Sequence, residues 1–309
     1  MTHTRSRRRS QFRALRREAP STVAVLAAPA DFAAMRAYRS FTFRDHRAYL
    51  RRTETLLRAL ARQGVTTRVT CFDPADYALF CDGARLDPDS PESRSRYVAE
   101  IAATGTAVPY AGQRIDDLVP LLTDTQAGRR TWQDVAELLA CADTDDRPST
   151  GPPTARGHAA FRRAADALNA LLEYAGTGRH HLVCSVHVTG GGPLSAALTV
   201  VRTHDGLLRM TDTDALLLCG VLAAGLATGS PGGIVLRTGR VPPSGPPGAG
   251  TVRGWSVRDG WLRPLTEAEV FAAYCTDADT GEPVPPEPDV EYAPGYALPR
   301  PRPGGGGHR

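Results

Sequence analysis

The sequence predicts an α/β chain of two domains: a small three-stranded, or larger, parallel Rossmann-like sheet with helices, then an α+β domain with an antiparallel sheet. Three observations lead there. The 309 residues are about twice an ordinary ~150-residue domain, enough to bury two cores. Residues 22–110 alternate short β-branched runs with helical periodicity, the order that builds parallel sheets through crossovers. Beyond residue 157 strands follow one another through Gly-rich turns, the pattern of an antiparallel meander. The expected organisation is a basic disordered arm at 1–20, the Rossmann-like domain at 21–142, a linker at 143–157, the α+β domain at 158–280, and a Pro/Gly-rich disordered tail at 281–309.

Residues 22–28 (TVAVLAA) are a short apolar run stopped by Pro29, which reads as a buried strand. After a delay, Tyr49, Thr53, Leu56, Leu57 and Leu60 recur at helical spacing within 43–63. Glu54 and Arg58 form a favourable i,i+4 pair there, and Gly64 stops the helix. Residues 65–72 (VTTRVTCF) are rich in β-branched side chains and give the second strand. A short helical turn near 75–81 precedes a marked helix start, with Ser90 as N-cap, Pro91 behind it, Glu92 in the first turn, and Tyr97, Val98 and Ile101 as the apolar stripe. Gly105 ends that helix, 106–110 gives a third strand, and helices follow at 115–122 and 131–140, the second opening on the pair Thr131 and Asp134. Residues 143–157 hold acids, Pro, Gly and Thr with no apolar period, hence the linker.

The second half begins with a helix at 158–174. Strands at 180–188, 194–203 and 207–211 follow, joined by Gly190 to Gly192 and by the turn His204, Asp205, Gly206. Asp212 is placed to cap an apolar helix at 215–227, whose Gly220, Ala223, Ala224 and Gly225 allow close packing on a sheet. A strand at 233–238, a Pro/Gly-rich mobile loop at 241–250, a hairpin at 252–262 and a helix opening on Thr266 and Glu269 complete the domain. The tail from Gly281 has eight prolines in its 29 residues and is expected to be disordered or extended.

Composition limits the chemistry. All 37 basic residues are arginine. A lysine-free chain cannot form a Schiff base, anchor pyridoxal phosphate or complete a Walker A loop, and kinase and SxxK mechanisms fall with them. Arg5, Arg7, Arg8, Arg9, Arg13, Arg16 and Arg17 against Glu18 give the first twenty residues +6, while 30 arginines and 32 acids leave the remainder at −2. The arm is either a solubilising terminus or an electrostatic foot for weak nucleic-acid binding. No apolar segment of signal-peptide length follows it. The longest apolar run, 215–227, has about 13 residues against the ~20 needed to cross a bilayer. Six scattered cysteines without zinc spacing read as core residues of a protein in a reducing cytoplasm. No membrane partner is expected.

No metal site or cofactor is expected either. His181 and His187 share a strand face, but six residues at ~3.3 Å each put them ~20 Å apart. Asp277, Asp279, Gly281 and Glu282 lack the later ligands of a calcium loop. The glycine clusters are not followed by helix starts, and GxSxG and HExxH are absent. What remains is topology, since ligands bind outside the carboxyl ends of parallel strands. There the segment 30–42 supplies Arg36, Tyr38 and Arg39 with Phe32 and Phe41, groups suited to stacking a flat ring and clamping an anion, or alternatively to the core of an extra helix. Asp73 ends the second strand, where a ribose-binding acid would lie, although GxGxxG is missing. Tyr110, Gln113 and Arg114 end the third.

The leading expectation is a non-catalytic binding or regulatory protein that holds a small anionic or nucleotide-like ligand at this edge and contacts a protein partner through its second domain. The alternatives are an enzyme using Asp73 as general base and a nucleic-acid accessory protein acting through its arm. On the last reading, deleting residues 1–20 abolishes a salt-sensitive, sequence-independent affinity for DNA in a filter-binding titration. Equal retention by both forms at low salt removes it.

Overall fold

The computed structural model describes residues 21–103, 107–142, 155–188, 192–239, 250–277 and 280–300. Contacts divide the chain into two compact units, Met1–Arg129 and Arg130–Arg309. The basic arm, most of the expected linker and the Pro/Gly loop lie outside the described residues.

The first unit runs β1 (Ser21–Val25), α1 (Pro29–Met35), α2 (His46–Arg62), β2 (Thr67–Cys71), α3 (Pro74–Ala84), α4 (Pro91–Ala103), β3 (Val108–Pro109) and the start of α5 (Ile115–Cys141). β1 and β2 are parallel, with Val23 beside Val69. β3 is antiparallel to β2, Val108 beside Val69, so the sheet is mixed and the expected all-parallel form is corrected. Alternation of strand and helix does not encode strand direction. Here the third strand is two residues long and ends at Pro109, which has no N–H to continue a ladder.

Local rules explain most boundaries. Asp45 caps α2 by accepting from the N–H groups of Arg47 and Ala48 at 3.3 and 2.8 Å, and Gly64 beyond its end takes φ 72°. Pro29 starts α1 at once, instead of merely stopping the strand, and buries Phe32 and Met35. The two helices expected within 115–140 are one, α5, with Thr131 and Asp134 inside it. The core gathers Val25, Phe32, Met35, Leu57, Val69, Phe72, Tyr77, Tyr97, Leu118 and Leu122.

The second unit takes the later turns of α5, then α6 (Ala155–Ala175), β4 (Gly178–His187), β5 (Pro193–Arg202), β6 (Leu208–Arg209), α7 (Asp212–Thr228), β7 (Gly232–Gly239), β8 (Gly250–Arg258), β9 (Trp261–Pro264), α8 (Glu267–Tyr274) and β10 (Val290–Tyr292). Seven strands lie in the order β10-β8-β7-β4-β5-β6, with β9 on β8; all pairs are antiparallel except β10 with β8. One face of β4, Leu182, Cys184 and Val186, is fully buried in a core with residues of α6 and α7. A Cβ on Gly225 of α7 would stand 2.9 Å from Val186, and one on Gly220 2.9 Å from the Trp132 ring, so these glycines set how closely the helix packs. Thr211, not Asp212, occupies the N-cap position of α7. Burial pushes the Cys184 thiol up to about 12 and that of Cys219 to about 11, as expected of core cysteines.

Of the two forms expected for the tail, disordered or extended, residues 280–300 take the extended one and pack into the fold. β10 pairs with β8; Trp255 donates its indole N–H to the Tyr296 carbonyl at 2.8 Å, and Trp261 donates to that of Leu298 at 3.4 Å. Tyr296 donates its hydroxyl to Leu171 O at 2.7 Å. Prolines kept this segment out of helices but not out of the fold, because Tyr292, Tyr296 and Leu298 anchor it between them. Among the described residues no helix is long and apolar enough to cross a membrane.

His180, fully buried in β4, places Nε2 3.0 Å from the Gly176 carbonyl and Nδ1 3.2 Å from Thr238 Oγ1. A carbonyl only accepts, so Nε2 holds the proton and Nδ1 accepts from the hydroxyl. Burial, foremost, holds the imidazole below its usual pKa of 6.5. The unfolded chain therefore binds the extra proton more readily, and this contribution to stability is complete above about pH 6.5 and falls as pH drops below it. Calorimetry is expected to show the second unit melting lower at pH 5 than at pH 7.5, with a shallower loss in His180→Gln.

Candidate functional site

The ends of β1 and β2 pose the same physical problem, since backbone groups leaving a sheet must find partners. At β1 they are Leu26 N–H, which donates to the Tyr49 hydroxyl at 3.2 Å, and Leu26 O, which accepts from His46 Nε2 at 2.9 Å. At β2 the answer is Asp73. Its carboxylate caps α3 by accepting from Ala75 N–H at 2.9 Å and Asp76 N–H at 3.2 Å, and its carbonyl accepts from the Tyr97 hydroxyl at 3.3 Å. Gln126 Nε2 of α5 lies 3.4 Å from the other carboxylate oxygen.

Beside Asp73 is a cavity of about 40 Å³, whose polar lining is Thr70, Asp73, Asp76, Tyr97, Gln126 and Arg129. At about 10–15 Å³ per water centre this is room for some three waters, not for a nucleotide. Burial, then the carboxylates of Asp76 and Asp73, push the Tyr97 phenol well above its ordinary pKa, so it stays protonated and can only donate or accept hydrogen bonds. Phe72, Tyr77 and Tyr97 pack with ring centroids 5.0–5.4 Å apart behind it.

The other expected site residues do not line this cavity. Phe32 and Phe41 pack at 5.5 Å, and both rings lie within about 6 Å of Tyr49, so the segment after β1 supplies an aromatic core rather than an open stacking surface. Tyr38 meets Tyr77 edge-on at 5.9 Å. Asp89 fixes the turn by accepting the N–H groups of Arg39 and Ser40 at 3.0 and 2.7 Å, and these bonds hold its carboxyl below the usual range. Arg94 donates to Ser40 Oγ at 2.9 Å. The Arg36 and Arg39 side chains are exposed, and neither guanidinium bonds to a described residue.

At β3, Gln113 is spent locally: its Oε1 accepts from Ala111 N–H at 2.7 Å and its Nε2 donates to Pro109 O at 3.3 Å. Arg114 is largely exposed and pairs with Asp116 at 3.4 Å. The Tyr110 hydroxyl is buried without a hydrogen-bond partner among the described residues. Arg5, Arg7, Arg8, Arg9, Arg13, Arg16 and Arg17 lie outside the described residues.

Sequence reasoning missed Tyr49, His46, Asp89, Tyr97, Gln126 and Arg129. Asp45 and Asp73 each precede a helix and were open to a capping reading; Gln126 reaches Asp73, and Arg129 lines the same cavity, from more than fifty residues away, and neither gave a local signal.

Residues 7–113 match the family model described as a domain of unknown function (DUF8829). That span ends at Gln113 and covers β1 through β3 but none of the second unit. No curated protein and no solved structure matches the chain.

The capping role separates two substitutions. Asp73→Ala is expected to lower unfolding free energy by about 1 kcal/mol, up to ~2, in a urea titration, whereas Asp73→Asn, whose side chain also caps, changes it by less than ~0.5 kcal/mol.

Proposed function

We propose that this protein is a non-catalytic binding or regulatory protein whose first unit holds a small anionic or nucleotide-like ligand through Arg36 and Arg39. The observation that supports this reading is the fixed turn after α1. Asp89, Arg94 and the Tyr38–Tyr77 contact tie its backbone down, while both guanidiniums stay without a partner among the described residues. A pinned turn loses little backbone entropy on binding, and guanidiniums suit phosphate or carboxylate. The carboxyl edge of the parallel β1–β2 pair lies just before this turn in sequence, which agrees with where ligands sit in such sheets.

The catalytic alternative, with Asp73 as general base, gains less support. Its carboxylate already accepts two capping bonds, and the cavity beside it is too small for a substrate together with a water. The lysine-free composition independently removes several mechanisms from consideration.

Calorimetric titration with phosphate, small carboxylates and nucleotides tests the reading. Arg36→Ala and Arg39→Ala are each expected to weaken the ligand by roughly 1–3 kcal/mol through loss of a charge-assisted hydrogen bond, with little change in melting temperature. Affinity that survives the double substitution unchanged would place the ligand elsewhere.

A further inference from the structure

We infer that β5 is an open sheet edge that pairs with β5 of a second copy of this chain. In an antiparallel ladder each residue directs both its N–H and C=O to one neighbour or to the other. The His187 N–H bonds to Pro231 O at 2.8 Å, so odd-numbered residues of β4 face β7 and even-numbered ones face β5. Across the β4–β5 register, Cys184 lies opposite Ala196 and Leu182 opposite Leu198. Leu194, Ala196, Leu198 and Val200 therefore bond to β4, while Ser195, Ala197 and Thr199 direct their N–H and C=O groups outward. β6 takes up only the next outward residue, Val201, opposite Arg209. No described strand lies beyond Ser195, Ala197 and Thr199.

Edges of this kind are ordinarily protected by charge, bulges or cover. The window 194–200 (LSAALTV) contains no charged residue. It is closed at one end by Pro193, which has no N–H, and at the other by β6, so it is short and defined rather than open-ended.

A second copy fits better than an extended peptide for two reasons. A strand paired antiparallel with itself about a two-fold axis presents the same residues to each other, and Ser195, Ala197 and Thr199, all exposed, are small and neutral enough to meet their own copies. Beside the window, Leu207, Leu208, Met210 and Leu216 are large apolar side chains left exposed around β6 and the start of α7. A two-fold pairing brings both such clusters to one interface, whereas a peptide would meet only one of them.

At ~3.3 Å per residue the window is roughly 23 Å long, and with a helix layer ~10 Å from the sheet it buries a few hundred Å² per copy. This is below the ~800 Å² per partner of a standard interface, so the association is expected to be weak and reversible.

Sedimentation equilibrium of the full chain from 1 to 100 μM, with hydrogen exchange at both extremes, tests this. The expected result is a monomer–dimer equilibrium in which the amides of Ser195, Ala197 and Thr199 become protected as concentration rises. Ala197→Pro removes an N–H that no described strand accepts and is expected to weaken dimerisation at least tenfold with the circular dichroism spectrum unchanged. If that variant does not fold, Ala197→Lys keeps the N–H, sets like charges together across the axis and is expected to have the same effect. A chain that stays monomeric throughout overturns the proposal. So does concentration-independent protection of these amides in a monomer, which would mean that another segment of the same chain covers the edge, or a folded variant that dimerises as tightly as the parent.

Discussion

The register of β4 is the constraint on which the second unit depends. It is paired along both sides, with β5 from Gly178 to His187 and with β7 over most of that length. Its alternate residues Leu182, Cys184 and Val186 enter the core while Val183 and Ser185 face the other way. A slip of one residue would exchange these sets and carry the neighbouring strands with it. The helix above is matched to the same register, because Gly225 leaves space only where Val186 rises beneath it. His180 belongs to this arrangement as well, since its ring is satisfied by Thr238 on the paired strand and by the turn before β4.

The first unit is held differently. Its sheet is small, and the burden falls on side chains that satisfy the backbone where strands end: Tyr49 and His46 at β1, Asp73 and Tyr97 at β2. These are residue types that elsewhere do acid–base chemistry. Here these groups make hydrogen bonds that hold the ends of the strands. Position at a strand end and polar identity have a structural explanation at Asp73, whose carboxylate caps α3.

The sequence made the elements more legible than their arrangement. Alternation in 180–188 and 194–203, the N-cap at Ser90 and the capping box at Thr266 all correspond to observed elements, because period and cap chemistry are local. The direction of β3 and the continuity of α5 were not legible. The first depends on how a two-residue strand meets β2, and the second on Trp132 and Val135 packing against Gly220, nearly ninety residues downstream. The order of residues 280–300 was hidden for a related reason. Proline content reports what a segment cannot form by itself, while Tyr292, Tyr296 and Leu298 depend on surfaces built by β8, β9 and α6. At the candidate site Asp73 was visible in advance as an acid ending β2, but Gln126 comes to it, and Arg129 to the cavity beside it, only through tertiary structure.

The anchoring of Tyr296 has a kinetic consequence. Its hydroxyl reaches Leu171 across 125 positions of sequence, and its carbonyl receives the Trp255 indole across 41. Closing so long a loop is entropically slow compared with forming the β4–β5 hairpin, where partners are separated by a short turn. The hairpin ladder can therefore form while Trp255 and Trp261 still lack the segment that caps them. Until that segment arrives the two indoles stay wet, and its proline-rich stiffness reduces the number of conformations it must search.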